Sequence, residues 1–169
     1  MAQSNITIRE AGKEDFSSIR EIALNAMLHR ESISPIRDPS VAAERQRGRY
    51  AQLADQGLAS FPADWDTAAF VAIDEASTPP EPVGYVLVML NAVDDFTGEQ
   101  QAYILDIAVR PERRGQGIGT KLMEKAHEYA REKGLRCIGL TVAAGNENAI
   151  RLYRELGYIE EWKRMARRL

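Results

Sequence analysis

A chain of 169 residues with 44% hydrophobic and 28% charged side chains has enough apolar material for one self-supporting core. Its net charge of −3 lacks the basic excess that nucleic-acid binding needs, and a single cysteine rules out an internal disulfide framework. MAQSNITIRE has no basic start leading into an apolar run, and the longest apolar stretch, Val83 to Leu90, is too short to span a bilayer. A single cytoplasmic domain covering residues 1–169, with neither membrane nor nucleic acid as partner, is the expectation.

In chain order, Asn5 to Arg9 alternates, with Ile6 and Ile8 on one face, and predicts a first strand. Phe16, Ile19, Ile22, Ala23, Ala26 and Met27 then recur at helical spacing. Pro35 and Pro39 interrupt the pattern, and a second helix is expected from about Val41 to Asp55. Three strands follow, Ala68 to Ile73, Pro82 to Met89 and Ala102 to Val109, joined by short turns that suit antiparallel neighbours.

Beyond Val109 the period lengthens. Ile118, Leu122, Met123, Ala126, Tyr129 and Ala130 form one helical stripe, stopped by Gly134. Cys137 to Val142 predicts a short buried strand, with Cys137 as core filler. Asn146 suits the N-cap of a last helix whose stripe is Ala149, Leu152, Tyr153 and Leu156. Two closing strands, near Tyr158 to Lys163 and Met165 to Leu169, complete the order β-α-α-β-β-β-α-β-α-β-β. Such an order predicts an α/β fold with one mixed sheet covered by helices on both faces. Exposed terminal strands would also offer a route to a homodimer.

The chemically richest stretch runs from Val109 to Thr120. A strand ends, Gly115, Gln116 and Gly117 turn the chain, and Ile118, Gly119 and Thr120 open a long helix. Unpaired N–H groups at a helix start, reached over residues without Cβ, make an anion cradle. A dinucleotide fingerprint fails because Thr120 stands where glycine is needed. A Walker A loop fails because the order is Gly119-Thr120-Lys121. Arg114, Gly117 and Gly119 instead satisfy Arg/Gln-x-x-Gly-x-Gly/Ala. Further on, Asn146-x-x-Ala149-x-x-Leu152-Tyr153 precedes Leu156-Gly157-Tyr158.

These two motifs, in this order, are similar to those of the GCN5-related N-acetyltransferases, the GNAT family, over residues 102–158. The resemblance implies acetyl-CoA as cosubstrate and a splayed sheet. It implies a pantetheine arm paired with Ile107, Ala108 and Val109, and a pyrophosphate on the amides of Arg114 to Thr120. Arg113 would be either a helper of Arg114 or a solvated loop residue. Tyr153 takes the family's general-acid position, and Asn146 could contact the arm as well as cap its helix.

Many relatives carry Glu-Asp on the third strand of the meander. Leu105 replaces that Glu here, which leaves Asp106 as substitute base or as a structural carboxylate. A primary amine is the expected acceptor, either a small amino-acid-like molecule drawn by Asp94 and Asp95, or a peptide N-terminus. A non-catalytic acetyl-CoA sensor is the reading from another class. His29 and His127 have no partners at ligand spacing, so no metal is expected, and His127 should be solvated.

Overall fold

The structure is a computed structural model that describes residues 5–28 and 38–169. His29 and Pro35 lie outside the described residues. Five strands form one sheet in the order β1-β2-β3-β4-β5. They are β1 (Ile6–Glu10), β2 (Thr67–Asp74), β3 (Glu81–Val93), β4 (Gln100–Val109) and β5 (Ile138–Leu140). The first four are antiparallel, and β5 runs parallel to β4. The helices are α1 (Phe16–Leu28), α2 (Pro39–Gln56), α3 (Ile118–Glu132) and α4 (Glu147–Glu155).

Both faces of the sheet are covered, which explains the nearly continuous apolar text of β2 and β3. Side chains alternate across a strand. Phe70, Ala72, Val86 and Val88 therefore face one core with Leu122, Met123 and Ala126 of α3. Val71, Ile73, Tyr85 and Leu87 face the other, with Ile19 and Ile22 of α1 and Tyr50 and Leu53 of α2. Gly84 lies where β3, β4 and α3 converge. A Cβ there would stand 3.1 Å from both the Ala108 carbonyl and Leu122 Cδ1.

Two expectations about chain breaks need correction. Pro39 does not interrupt a helix but starts one. Asp38 accepts a hydrogen bond from the Ser40 amide, and proline takes the first turn of α2, where its missing N–H costs nothing. The two closing strands are absent: residues 158–169 form no regular structure. Ile159, Trp162, Met165 and Leu169 are exposed there. Their spacing of three and four residues gives a strand no single apolar face, and Lys163, Arg164, Arg167 and Arg168 crowd like charge together. Terminal strand pairing therefore gives no support for a homodimer.

Candidate functional site

The sheet opens at one point. On its β3 side β4 is paired through to its end, with Ile107 opposite Val86, Ala108 opposite Tyr85 and Val109 opposite Gly84. On its β5 side pairing covers only Ala102, Tyr103 and Ile104. From Leu105 to Val109 that edge of β4 has no strand beside it among the described residues. Main-chain groups left without a strand neighbour are a template for an extended ligand.

The same region carries a β-bulge. Val88 stands opposite Ile104 and Leu87 opposite Asp106, so Leu105 is the extra residue. A bulge re-aims side chains. Ile104 and Ile107 pack with the α3 core, whereas Leu105 packs with the α1–α2 core. Asp106 also turns to the α2 side, where the Tyr50 and Tyr85 hydroxyls both donate to its Oδ2, the latter at 2.8 Å. The two hydroxyls lie 3.0 Å apart, and the Ile107 amide donates to Oδ1 at 2.9 Å. Three donors thus compensate a part-buried carboxylate.

Beyond Val109 the chain turns into α3. Gly115 and Gly117 adopt φ of 72° and 74°, the left-handed region that glycine enters without strain. A Cβ at either would meet no protein atom within 4 Å, so the space above them is open. The helix start has no side-chain cap. Its first internal bond past Gly117 comes from the Lys121 amide, and the Arg114 amide turns back to the Pro111 carbonyl. The amides of Ile118, Gly119 and Thr120 are then the unpaired first-turn donors of an ordinary helix, and they carry the positive end of its dipole.

The neighbouring arginines divide their roles. Arg113 is neither a solvated loop residue nor a free anion ligand. Its Nη2 pairs with the buried carboxylate of Asp74 at 2.5 Å, pinning the loop to the end of β2. Arg110 is fixed by Glu21 of α1 at 2.8 Å and by the Pro82 carbonyl. Arg114 is exposed, and its Nε donates to the Val109 carbonyl at 3.2 Å, leaving most of its donor fork for other partners. Of the expected pairing residues, Ile107 therefore spends its N–H on Asp106 and Val109 receives Arg114, while Ala108 is buried against the α1–α2 core.

Asn146 caps α4 as expected, its Oδ1 accepting from the Ala149 amide at 3.2 Å. Gly119 lets the start of α3 come close to this helix: a Cβ there would be 3.4 Å from Leu152 Cδ2. Tyr153 is half-buried against the α3-side core, with its ring 5.7 Å from that of Tyr158. Tyr158 is held by His127, whose Nε2 lies 2.8 Å from the phenol oxygen.

His127 is therefore half-buried, not solvated. Burial, aided by Arg131, lowers its proton affinity below the ordinary value of 6.5, against a smaller opposing pull from Glu124. A histidine kept neutral by the fold gives its full stabilisation above that value and loses it as pH falls below. The melting temperature should fall between pH 7.5 and 5.5, and by less in His127→Gln. Equal pH dependence in the two proteins would rule out this contribution. Cys137, expected as core filler, is exposed because β5 begins one residue later.

On the α2 side of Leu105 lies an open cleft of about 200 Å³, walled by Arg49, Gln52, Ser60, Phe61, Trp65 and Leu105. Phe61 and Trp65 stack with centroids 6.0 Å apart, and the Arg49 guanidinium lies 5.3 Å over the Phe61 ring. Asp94, expected to attract a cationic amine, is committed to the β3–β4 turn. Its Oδ1 accepts from the Phe96 and Thr97 amides and from the Thr97 hydroxyl. Sequence reading missed Tyr50, Tyr85 and the aromatic cleft, because their partners are distant in the chain. Among the described residues no three His, Cys, Asp or Glu side chains group as a metal site, and no helix is long and apolar enough to cross a membrane.

The model of the Acetyltransferase (GNAT) family matches residues 31–158. An uncharacterized N-acetyltransferase of Methanocaldococcus jannaschii is 39% identical over 94 residues, 53% of this chain and 42% of that protein. The thialysine N-epsilon-acetyltransferase of Bos taurus is 41% identical over 86 residues, 48% of this chain and 49% of the relative. The chain thus spans about half the length of the curated relatives it matches. Among solved structures, a provisionally assigned acetyl transferase from Pyrococcus furiosus superposes with a TM-score of 0.73 at 30% identity, covering 98% of this chain and 100% of that one.

Proposed function

This chain belongs to the acetyltransferase (GNAT) family, and from that premise we propose that it transfers an acetyl group from acetyl-CoA to a small primary amine. One observation carries the reading: β4 parts from β5 after Ile104, and the chain leaves its end for an uncapped, glycine-opened helix start. Together these supply a strand edge for an extended amide-bearing arm and a cradle for a diphosphate. The amides of Gly115 to Thr120 and the remaining Arg114 donors would hold the diphosphate. The edge from Ile107 to Val109 would hold the arm through the main-chain groups that Asp106 and Arg114 leave open.

The amine nitrogen attacks the thioester carbon, the C–N bond forms and the C–S bond breaks. The thiolate takes a proton from the Tyr153 phenol, and the amine gives up its own toward Asp106. A lysine-type ammonium near pKa 10.4 must shed a proton before it can attack, which is work for a base on the acceptor side. Asp106 is the carboxylate that the bulge turns to that side. Among the relatives' names, an acetyltransferase of thialysine supports the small acceptor, and one provisionally assigned to the alanine of a ribosomal protein supports a peptide N-terminus as the second reading.

The test is release of free CoA thiol from acetyl-CoA over a panel of small amines and peptide N-termini. Release that depends on a small amine is expected. None with any acceptor, with acetyl-CoA nevertheless bound, would leave a sensor module. Asp106→Asn should lower turnover at pH 7 by roughly tenfold or more, with partial recovery as pH rises and the amine deprotonates unaided. A flat, wild-type-like pH profile in that variant would remove Asp106 from proton transfer.

A further inference from the structure

We infer that the cleft beside Leu105 selects acceptors whose far end bears a carboxylate on a flat or slender apolar stem, with Arg49 as the residue that reads it. The inference rests on the proposed acetyl transfer for its placement, since Leu105 belongs to the bulge where β4 leaves β5 and adjoins Asp106. It rests on the cleft itself for its chemistry.

The size comes first. At roughly 30 Å³ per water, a cleft of about 200 Å³ holds the volume of about seven waters. That suits a single small molecule or one side chain, not a folded partner. Its walls are apolar and aromatic on one flank, where Phe61 and Trp65 lie nearly parallel at 17°. Such a pair offers a flat face to a planar or unbranched stem.

The charge comes second. Among the described residues Arg49 is the only charged one walling the cleft, and no carboxylate lines it. Asp64 and Asp66 flank Trp65 in the chain but are not part of the wall. Among the described residues Arg49 makes no ion pair; its contact is the cation–π approach over Phe61. A guanidinium held over a ring by cation–π attraction spends no N–H donor there, so its fork stays available for a planar bidentate anion, and carboxylate geometry matches that fork. An amine carrying a second positive charge would meet Arg49 as a like charge. Gln52 and Ser60 add neutral hydrogen-bonding groups beside it. The acceptor would lie with its carboxylate on α2 and its amine toward β4, where the bulge presents Asp106.

The probe is 4-(aminomethyl)benzoate, compared with 4-methylbenzylamine, which keeps the stem and amine but lacks the anion, and with 4-(aminomethyl)phenylphosphonate. Binding is read from Trp65 fluorescence in a Trp162→Phe background, so that it does not depend on transfer. The benzoate should bind roughly tenfold to a hundredfold more tightly than 4-methylbenzylamine, as expected for hydrogen bonds to a charged group. Arg49→Gln should erase that preference, so that the benzoate and 4-methylbenzylamine bind equally.

Equal binding of the two amines to the wild type, or a preference that survives Arg49→Gln, would overturn the inference. Tighter binding of the phosphonate than of the benzoate would overturn the carboxylate assignment. The expected binding pattern without thiol release from acetyl-CoA would uphold this recognition and refute acetyl transfer. Thiol release with 4-methylbenzylamine as good an acceptor as the benzoate would do the reverse.

Discussion

Replacing Tyr153 with Phe should lower the turnover of amine acetylation by about 10²–10⁴ while acetyl-CoA still binds, the range that a positioned acid contributes. The change removes one oxygen from a half-buried ring that packs against the α3-side core, so the packing with Tyr158 stays. An ordinary phenol near 10 and a thiol near 8.5 differ by about 1.5 units, a mismatch of about 2 kcal/mol. A positioned acid spares the reaction a bare thiolate, and a mismatch of that size leaves a phenol able to supply the proton. A steady-state comparison of kcat with acetyl-CoA affinity from calorimetry separates the roles. A structural tyrosine would leave kcat within a few-fold of wild type, and that result would remove Tyr153 from the chemistry.

Gly117→Val should act on the other half of the reaction, weakening acetyl-CoA rather than slowing transfer. Gly117 holds φ at 74°, a conformation that a β-branched residue adopts only under strain of roughly 1–3 kcal/mol. If the loop relaxes to relieve it, the amides that should face the diphosphate turn away, and the loss is about 5- to 150-fold in affinity. A side chain that keeps the loop in place fares no better. Its Cβ meets no protein atom within 4 Å, so its branches occupy the open space the diphosphate would need. Calorimetric titration with acetyl-CoA, beside circular dichroism to show that the variant folds, measures the loss. Unchanged affinity would mean that the diphosphate sits elsewhere.

Much of this molecule was legible in its sequence because its signals are local. Period-two alternation marks β1, apolar runs bounded by turn residues mark β2 to β4, the stripe Ile118 to Ala130 marks α3, and Asn146 caps α4 as a side chain at that position should. Asp38-Pro39-Ser40 was a readable start signal for α2, obscured by treating proline as a breaker rather than as a first-turn residue. The tail from Tyr158 failed as a strand because its apolar residues do not alternate.

What no local pattern reveals is tertiary. Tyr50 and Tyr85 read as ordinary apolar positions of a helix and a strand, and only the fold aims both hydroxyls at Asp106, 56 and 21 residues away. The extra residue at Leu105 has no sequence mark either, yet it turns the carboxylate to the α2 side. The aromatic cleft is hidden for the same reason, since Arg49 and Phe61 meet across the turn that follows α2.

The early parting of β4 from its parallel neighbour makes the sheet mechanically discontinuous. Among the described residues β5 is joined to the antiparallel strands by three backbone pairs, and beyond them this corner, with α4, is held by side-chain packing on the α3-side core where the rest of the sheet is laminated strand to strand. A guest lying along the gap would act as a missing lath, tying the corner carrying Tyr153 to the slab carrying Asp106. In the proposed reaction, the acid and the base would then be brought into register by the acetyl donor itself.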